Sequence, residues 1–330
     1  MPAVRLDAVP MHCHPRFLLV LSCTALLGTL KAEVKYEFVP GFLQPPPGSE
    51  TIGNGHGEIA VDSAGLIYVS VTGPENVGKG VQVYSKEGVF QKVLPLPNSL
   101  HGFVIRKDEG GEFLFGAVLA EQKVIKCTLD GNVVMTIPKE SFPADKIGKG
   151  LKLTNCDVAP NGDIYVVDGY GADWIFVFGR DGTFKKVFGG RVPPLDLANA
   201  HKIFIDRRYE PARVMICDRG HKRMLHTDLD GNLIGVIAEN MRNPSSASFH
   251  GDLMCVAEIA GNVSVWDKEN QRVADLGTSP QPTNTPKIEP KDWQQGIVTS
   301  PHGITFDNEG NILETEWNQW GRVLRWNRAK

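Results

Sequence analysis

One phrase returns six times along this chain, and that recurrence limits the fold more than any other feature. Each copy reads as an apolar strand, a turn built on Asp or Asn and Gly, a second apolar strand, a polar loop and a third strand. The clearest copies are CDVAPNGDIYVVDGYGADWIFVFGRDG from Cys156, HKIFIDRRYEPARVMICDRGHKRMLHTDLDG from His201 and HGITFDNEGNILETEWNQWGRVLRWN from His302. Weaker copies begin near Gly57, His101 and Ser245. Anchored just before the first strand, the copies start at 57, 101, 156, 201, 245 and 302, in steps of 44, 55, 45, 44 and 57. A period in the forties with three or four strands per unit is that of propeller blades, each burying its face against its neighbours. The two long steps hold insertions around Lys139 to Leu151 and Ser279 to Thr299, expected as loops on the binding face.

The expected fold is therefore all-β, a six-bladed β-propeller. Its last copy stops after a third strand at Trp326, while strand-like KYEFV precedes the first blade. Pairing the two would close the ring by an N-terminal strand and remove both edges. A length of 330 residues, with 35 Gly and 22 Pro spread along the chain, suits one domain of short strands and turns. A formal charge of -3 without a Lys/Arg block offers no footprint for nucleic acid or an anionic membrane. The expected partner is a small-molecule or peptide substrate, and the chain is expected to act as a monomer.

Basic Arg16, an apolar run from Phe17 to Leu30 and small Ala32 read as a secretory signal peptide over 1–32, leaving the propeller over 33–330. The run falls short of the roughly 18 clean apolar residues of a membrane span. A secreted or periplasmic location follows, with no membrane attachment after the signal is removed. Cys127, Cys156, Cys217 and Cys255 remain in the mature part, too few for a disulfide scaffold.

In a propeller the innermost strand of every blade starts near one end of the axis, so the anchors ring the channel mouth. They are Gly57, His101, Cys156, His201, Ser245 and His302. Histidine occupies blades two, four and six, so three imidazoles should approach the axis at trigonal angles, the arrangement of a catalytic Zn²⁺ with an open fourth position. His56 precedes its anchor by one residue and faces the same mouth, as a fourth ligand, an acid-base group or a solvated loop residue. Asp168, Asp218, Glu258 and Glu316 end the second strands of four blades, where such carboxylates commonly take turn amides between blades. Tyr170, Arg219 and Trp317 follow three of them and should overhang the pore, with Tyr170 a candidate base if metal or Arg219 acidifies its phenol.

At these residues the chain resembles the NHL-repeat propellers and, more narrowly, the peptidyl-α-hydroxyglycine α-amidating lyases (peptidylamidoglycolate lyases). His101 in LHG, His201 in AHKI and His302 in PHGI match that family's three histidine motifs in order, and Tyr170 in VVDGYG matches its tyrosine. The resemblance implies a zinc on the three histidines and a catalytic tyrosine. The chain also departs from the family. Val71 and Thr72 stand where its active-site arginine belongs, Gly303 replaces a calcium ligand, and its flanking cysteines give way to residues near Leu153 and Gly171. A Ca²⁺ site is thus poorly supplied, and Arg219 is the substitute for the arginine. Three readings stand open on sequence: a zinc lyase, an oxidoreductase using four histidines on Fe or Cu, and a noncatalytic ligand-binding propeller.

Overall fold

The computed structural model describes residues 1–2, 34–72 and 79–329. The chain divides into two units, 1–33 and 34–330. The first unit, where the expected signal falls, lies almost wholly outside the described residues. Among those described, no helix is long and apolar enough to cross a membrane.

The second unit is the all-β, six-bladed propeller that the repeat predicts, six antiparallel sheets of four strands each. Innermost strands are Ile59–Val61, Leu100–Asp108, Asn155–Val158, Ala200–Asp206, Pro244–His250 and Pro301–Phe306. Their leading residues are buried because each strand touches neighbouring blades on both sides, even in the polar PSSASFH of blade five. The turn to the second strand repeats in detail. In blades one and six, Asp62 and Asp307 accept the amides of Ala64 and Leu66, and of Glu309 and Asn311, while Gly65 and Gly310 take φ of +88° and +82°. Only glycine enters that region freely, which accounts for the recurring D-x-x-G spacing.

The ring closes as expected. Tyr36–Val39 pairs antiparallel with Val323–Arg328, Tyr36 opposite Arg328 and Val39 opposite Arg325, so the last blade takes its outer strand from the N-terminal side. The fourth strands of the other blades carry weaker patterns, such as Val133–Ile137, because one face meets solvent.

Packing between blades is continuous: one buried cluster runs from Val104 and Phe115 through Cys156 and Phe176 to Met215 and Met254. The first insertion joins this core, because Phe142 stands edge-on to Phe176 and Phe178 at 5.0 and 4.9 Å and Leu151 is buried. Contacts of that geometry contribute about 1 kcal/mol each beyond burial. It is a packing element, against the expectation of a binding loop, whereas the second insertion does reach the channel mouth. Cys127, Cys156, Cys217 and Cys255 are free and buried, and act as small apolar residues.

Candidate metal centre and cleft

Four of the six anchors sit at β-bulges, whereas Gly57 precedes its strand and Cys156 pairs regularly with Val166. Pairing slips between Leu100 and Gly102, Ala200 and Lys202, Pro244 and Ser246, and Pro301 and Gly303, so His101, His201, Ser245 and His302 are the extra residues. A bulge frees a residue from the ladder and re-aims its side chain, and here it turns three imidazoles to the axis. Their ring centroids lie 4.8–5.2 Å apart with interplanar angles of 80–85°.

All three rings are tethered in the same way. His101 Nδ1 donates to Thr154 O at 2.8 Å, His201 Nδ1 to Ser245 O at 2.7 Å and His302 Nδ1 to Gly57 O at 2.8 Å. A carbonyl can only accept, so each proton is fixed on Nδ1 and each Nε2 presents a bare lone pair. Burial pushes the pKa of all three well below the ordinary imidazole value and keeps them neutral. His56 is lowered to about 4 by burial, then by the charges of Lys202 and Arg219.

The Tyr170 hydroxyl enters this group. It lies 2.9 Å from His201 Nε2, 3.2 Å from His101 Nε2 and 3.3 Å from His56 Nε2. It has one proton for at least two lone pairs, and His302 Nε2 is buried without a hydrogen-bond partner among the described residues. Such an excess of neutral nitrogen acceptors fits a cation. The ligand atoms of His56, His101 and His302 lie within 4.8 Å of one another, whereas His201 meets the group through the Tyr170 hydroxyl. Burial raises the phenol pKa of Tyr170, and Arg219 opposes the rise without cancelling it. The protein's own groups therefore do not acidify this phenol.

Arg219 is half-buried, 5.4 Å from the Tyr170 ring centroid, and its Nε donates to Asn199 Oδ1 at 2.6 Å. Asn199 is held in turn by Gly169 O at 2.8 Å. Among the described residues no carboxylate pairs with Arg219, which lines the cleft. Trp317 lies 5.1 Å from the His56 ring. With Pro282, Thr283 and Asn284 of the second insertion these groups enclose a cleft of about 680 Å³ that, among the described residues, no acidic side chain lines.

The four strand-end carboxylates are structural and take amides of the segments between blades, as expected. Asp168 takes the amide of Lys152, Asp218 that of Ala198, Glu258 that of Arg242 and Glu316 that of Thr299, each on the segment leading into its own blade.

Two residues beneath the imidazoles were not foreseen. Lys202, fully buried, reaches Glu58 Oε2 at 2.8 Å and lies 3.4 Å from Gly57 O and His302 O. Glu58 also accepts Ser246 Oγ at 2.8 Å and the amide of Ile304 at 3.0 Å. A Cβ on Gly303 would come within 2.5 Å of Glu58 Oε1. The position that the resemblance associates with calcium has no space for an acidic side chain, and an ammonium already neutralises the nearby carboxylate. The sequence carried a signal in AHKI, where Lys interrupts the His-Gly of the other two copies.

The chain matches no protein-family model and no curated protein in sequence. Its fold is shared with solved propellers. A streptogramin B lyase superposes with a TM-score of 0.56 at 14% identity, over 90% of this chain and 98% of its own. Virginiamycin B lyase from Staphylococcus aureus gives 0.51 at 13% identity, over 90% and 88%. A gluconolactonase-like protein gives 0.58 at 14% identity, over 89% and 98%.

Proposed function

We propose that the protein is a metal-dependent lyase acting on a small or peptide-like substrate, with His101, His201 and His302 holding zinc. The observation that carries this reading is the threefold set of Nδ1–carbonyl tethers, which leaves buried lone pairs on the axis with too few protons to satisfy them. A divalent cation bound there supplies Lewis-acid polarisation of a substrate oxygen.

The chain's own groups do the rest. Arg219 holds a substrate carboxylate by paired hydrogen bonds, Trp317 and the second insertion shield the cleft, and Tyr170 moves the proton. On an N-acyl-α-hydroxyglycine, a cation bound on the histidines would hold Tyr170 as the phenolate; the substrate hydroxyl proton passes to the Tyr170 oxygen, the carbon–oxygen double bond forms as the C–N bond breaks, and the departing nitrogen takes that proton from Tyr170. An amide and an aldehyde acid result. The amidating-lyase resemblance and the lyases among proteins of similar fold support this choice.

A second reading gives His56 a ligand role in an iron or copper site, favoured by its grouping with His101 and His302. We place the enzyme outside the cytoplasm on the signal-like segment, which N-terminal sequencing of exported protein checks.

The test is metal analysis of protein purified without added metal, with turnover of an N-acyl-α-hydroxyglycine by wild type and Tyr170→Phe. Zinc is expected in both, and turnover about a hundredfold lower or more in the variant. Iron or copper in place of zinc would favour the second reading, and a zinc-replete wild type without turnover would remove the lyase.

A further inference from the structure

The strand Ala200–Asp206 brings two successive residues to the channel axis, and they serve different levels of it. His201 is the bulged residue aimed at the other imidazoles. Lys202 rejoins the ladder opposite Cys217 and carries its side chain across the axis from blade four to blades one and six.

The Lys202 ammonium is fully buried, and its hydrogen-bond partners among the described residues are all oxygens: Glu58 Oε2 at 2.8 Å, with Gly57 O and His302 O at 3.4 Å. An ammonium has three protons and accepts none, so three acceptors match it. Glu58 is held in place by three further donors. Ser246 Oγ donates to Oε2 at 2.8 Å, and the amides of Ile304 and Ile59 donate to Oε1 at 3.0 and 3.1 Å. Burial lowers the Lys202 pKa and Glu58 opposes the fall.

One carboxylate and two backbone carbonyls are the ligand types that a hard cation takes from a protein. The cage is joined to the imidazoles as well, because Gly57 O also accepts His302 Nδ1 at 2.8 Å. The calcium that the resemblance implies does not fit here: Gly303 stands where its acidic ligand belongs, and an ammonium stands among the oxygens that remain. We propose that the Lys202 ammonium is a built-in cation, filling an oxygen-lined site on the channel axis that a metal ion would otherwise occupy, so that the fold needs no second metal. The inference does not depend on which reaction the imidazole group performs. Glu58 also lines a cavity of about 330 Å³ at the far ends of the innermost strands, the side from which a small ion enters once the lysine is gone.

Thermal unfolding of the full chain, followed by tryptophan fluorescence, is compared in choline chloride, KCl and CaCl₂ at equal ionic strength. Wild type is expected to melt within about 2 °C in all three, since its site is already filled. Lys202→Ala should melt at least about 5 °C lower in choline chloride, because a buried carboxylate has lost its partner, and should regain about half of that loss or more in KCl or CaCl₂. Glu58→Gln/Lys202→Ala, which lacks the carboxylate, should melt alike in the three salts. A wild type stabilised by either metal salt, a Lys202→Ala variant that recovers in neither, or a double variant that still responds would each overturn the proposal. Where Lys202→Ala does not fold in choline chloride, its refolding yield in the three salts is read by the same criterion, and the wild-type comparison stands on its own.

Discussion

Blades two, four and six differ from blades one, three and five in what they bring to the axis. The even blades supply side chains, His101, His201 and His302. The odd blades supply the backbone carbonyls of Thr154, Ser245 and Gly57 that hold those rings, with the side chains of Tyr170 and His56 set beside them. Space enforces the division. A Cβ on Gly57 would lie 2.5 Å from Ser70 Cβ, so no imidazole can stand there. The glycines after two of the histidines serve the same end: a Cβ on Gly102 would come within 2.3 Å of Thr154 O, and one on Gly303 within 3.0 Å of Gly57 O. His-Gly is therefore the local solution that lets the next blade's carbonyl reach the ring, and Lys202 departs from it to span the axis. Half of the site is chemistry that a sequence displays, and half is carbonyl geometry that it does not.

The largest effect should come from removing an even-blade ligand. His302→Ala is expected to lower metal affinity by on the order of a thousandfold, beyond the 10–100-fold typical of outer-shell changes, while the propeller stays folded because stability is spread over many blade interfaces. Competition with a chelator measures the first and circular dichroism the second. Metal retained at wild-type affinity would show that the even blades are not the ligand set.

Acid gives the next largest effect, and it tests the exception to the division, since His56 is the imidazole that an odd blade brings to the group. Its folded pKa of about 4 lies below the ordinary 6.5. The stability of metal-free protein that depends on keeping it neutral is complete above pH 6.5 and is lost as pH falls from there through about 4. This share is on the order of 3 kcal/mol. His56→Asn should flatten the fall in unfolding free energy between pH 6.5 and 4. An unchanged slope would assign the acid sensitivity to the three axial rings alone, whose pKa values burial also depresses.

Gly57→Ala asks whether an odd-blade carbonyl matters. The new methyl group must push against Ser70, shifting the carbonyl that receives His302 Nδ1. Metal affinity should fall about tenfold, within the range for losing an orienting hydrogen bond. An unchanged affinity would leave the tether without energetic consequence.

The same division explains how far the sequence could be read. Blade number, most anchor positions and closure by Tyr36–Val39 were legible because they depend on apolar periodicity and turn residues, which are side-chain properties; in blade three the expected anchor Cys156 is core, and Thr154 reaches the ring instead. The outer strands were faint because residues such as Val133 and Val134 are exposed. The bulges at His101, His201 and His302 left no mark, since a one-residue slip changes pairing without changing composition. Glu58 was written in the sequence as a charge entering an apolar strand, but its partner lies 144 residues away. Phe142 shows the converse error, a long step read as a surface loop although its aromatic ring is core.

The smallest expected effect falls on an odd-blade side chain. Ser245 Oγ lies 3.2 Å from His201 Nδ1, yet that nitrogen has one proton and already gives it to Ser245 O at 2.7 Å. The hydroxyl can take only a minor share of a bifurcated bond, while the carbonyl belongs to the backbone and survives any substitution that keeps the fold. Ser245→Ala should therefore change metal affinity less than about twofold, below the 0.5–1.5 kcal/mol of a complete neutral hydrogen bond. Measured beside Gly57→Ala, it separates the two ways an odd blade could act, because one variant displaces a carbonyl and the other removes only a side-chain oxygen. A larger loss in Ser245→Ala than in Gly57→Ala would show that the hydroxyl, and not the carbonyl, orients His201, and the division between side-chain blades and backbone blades would no longer hold.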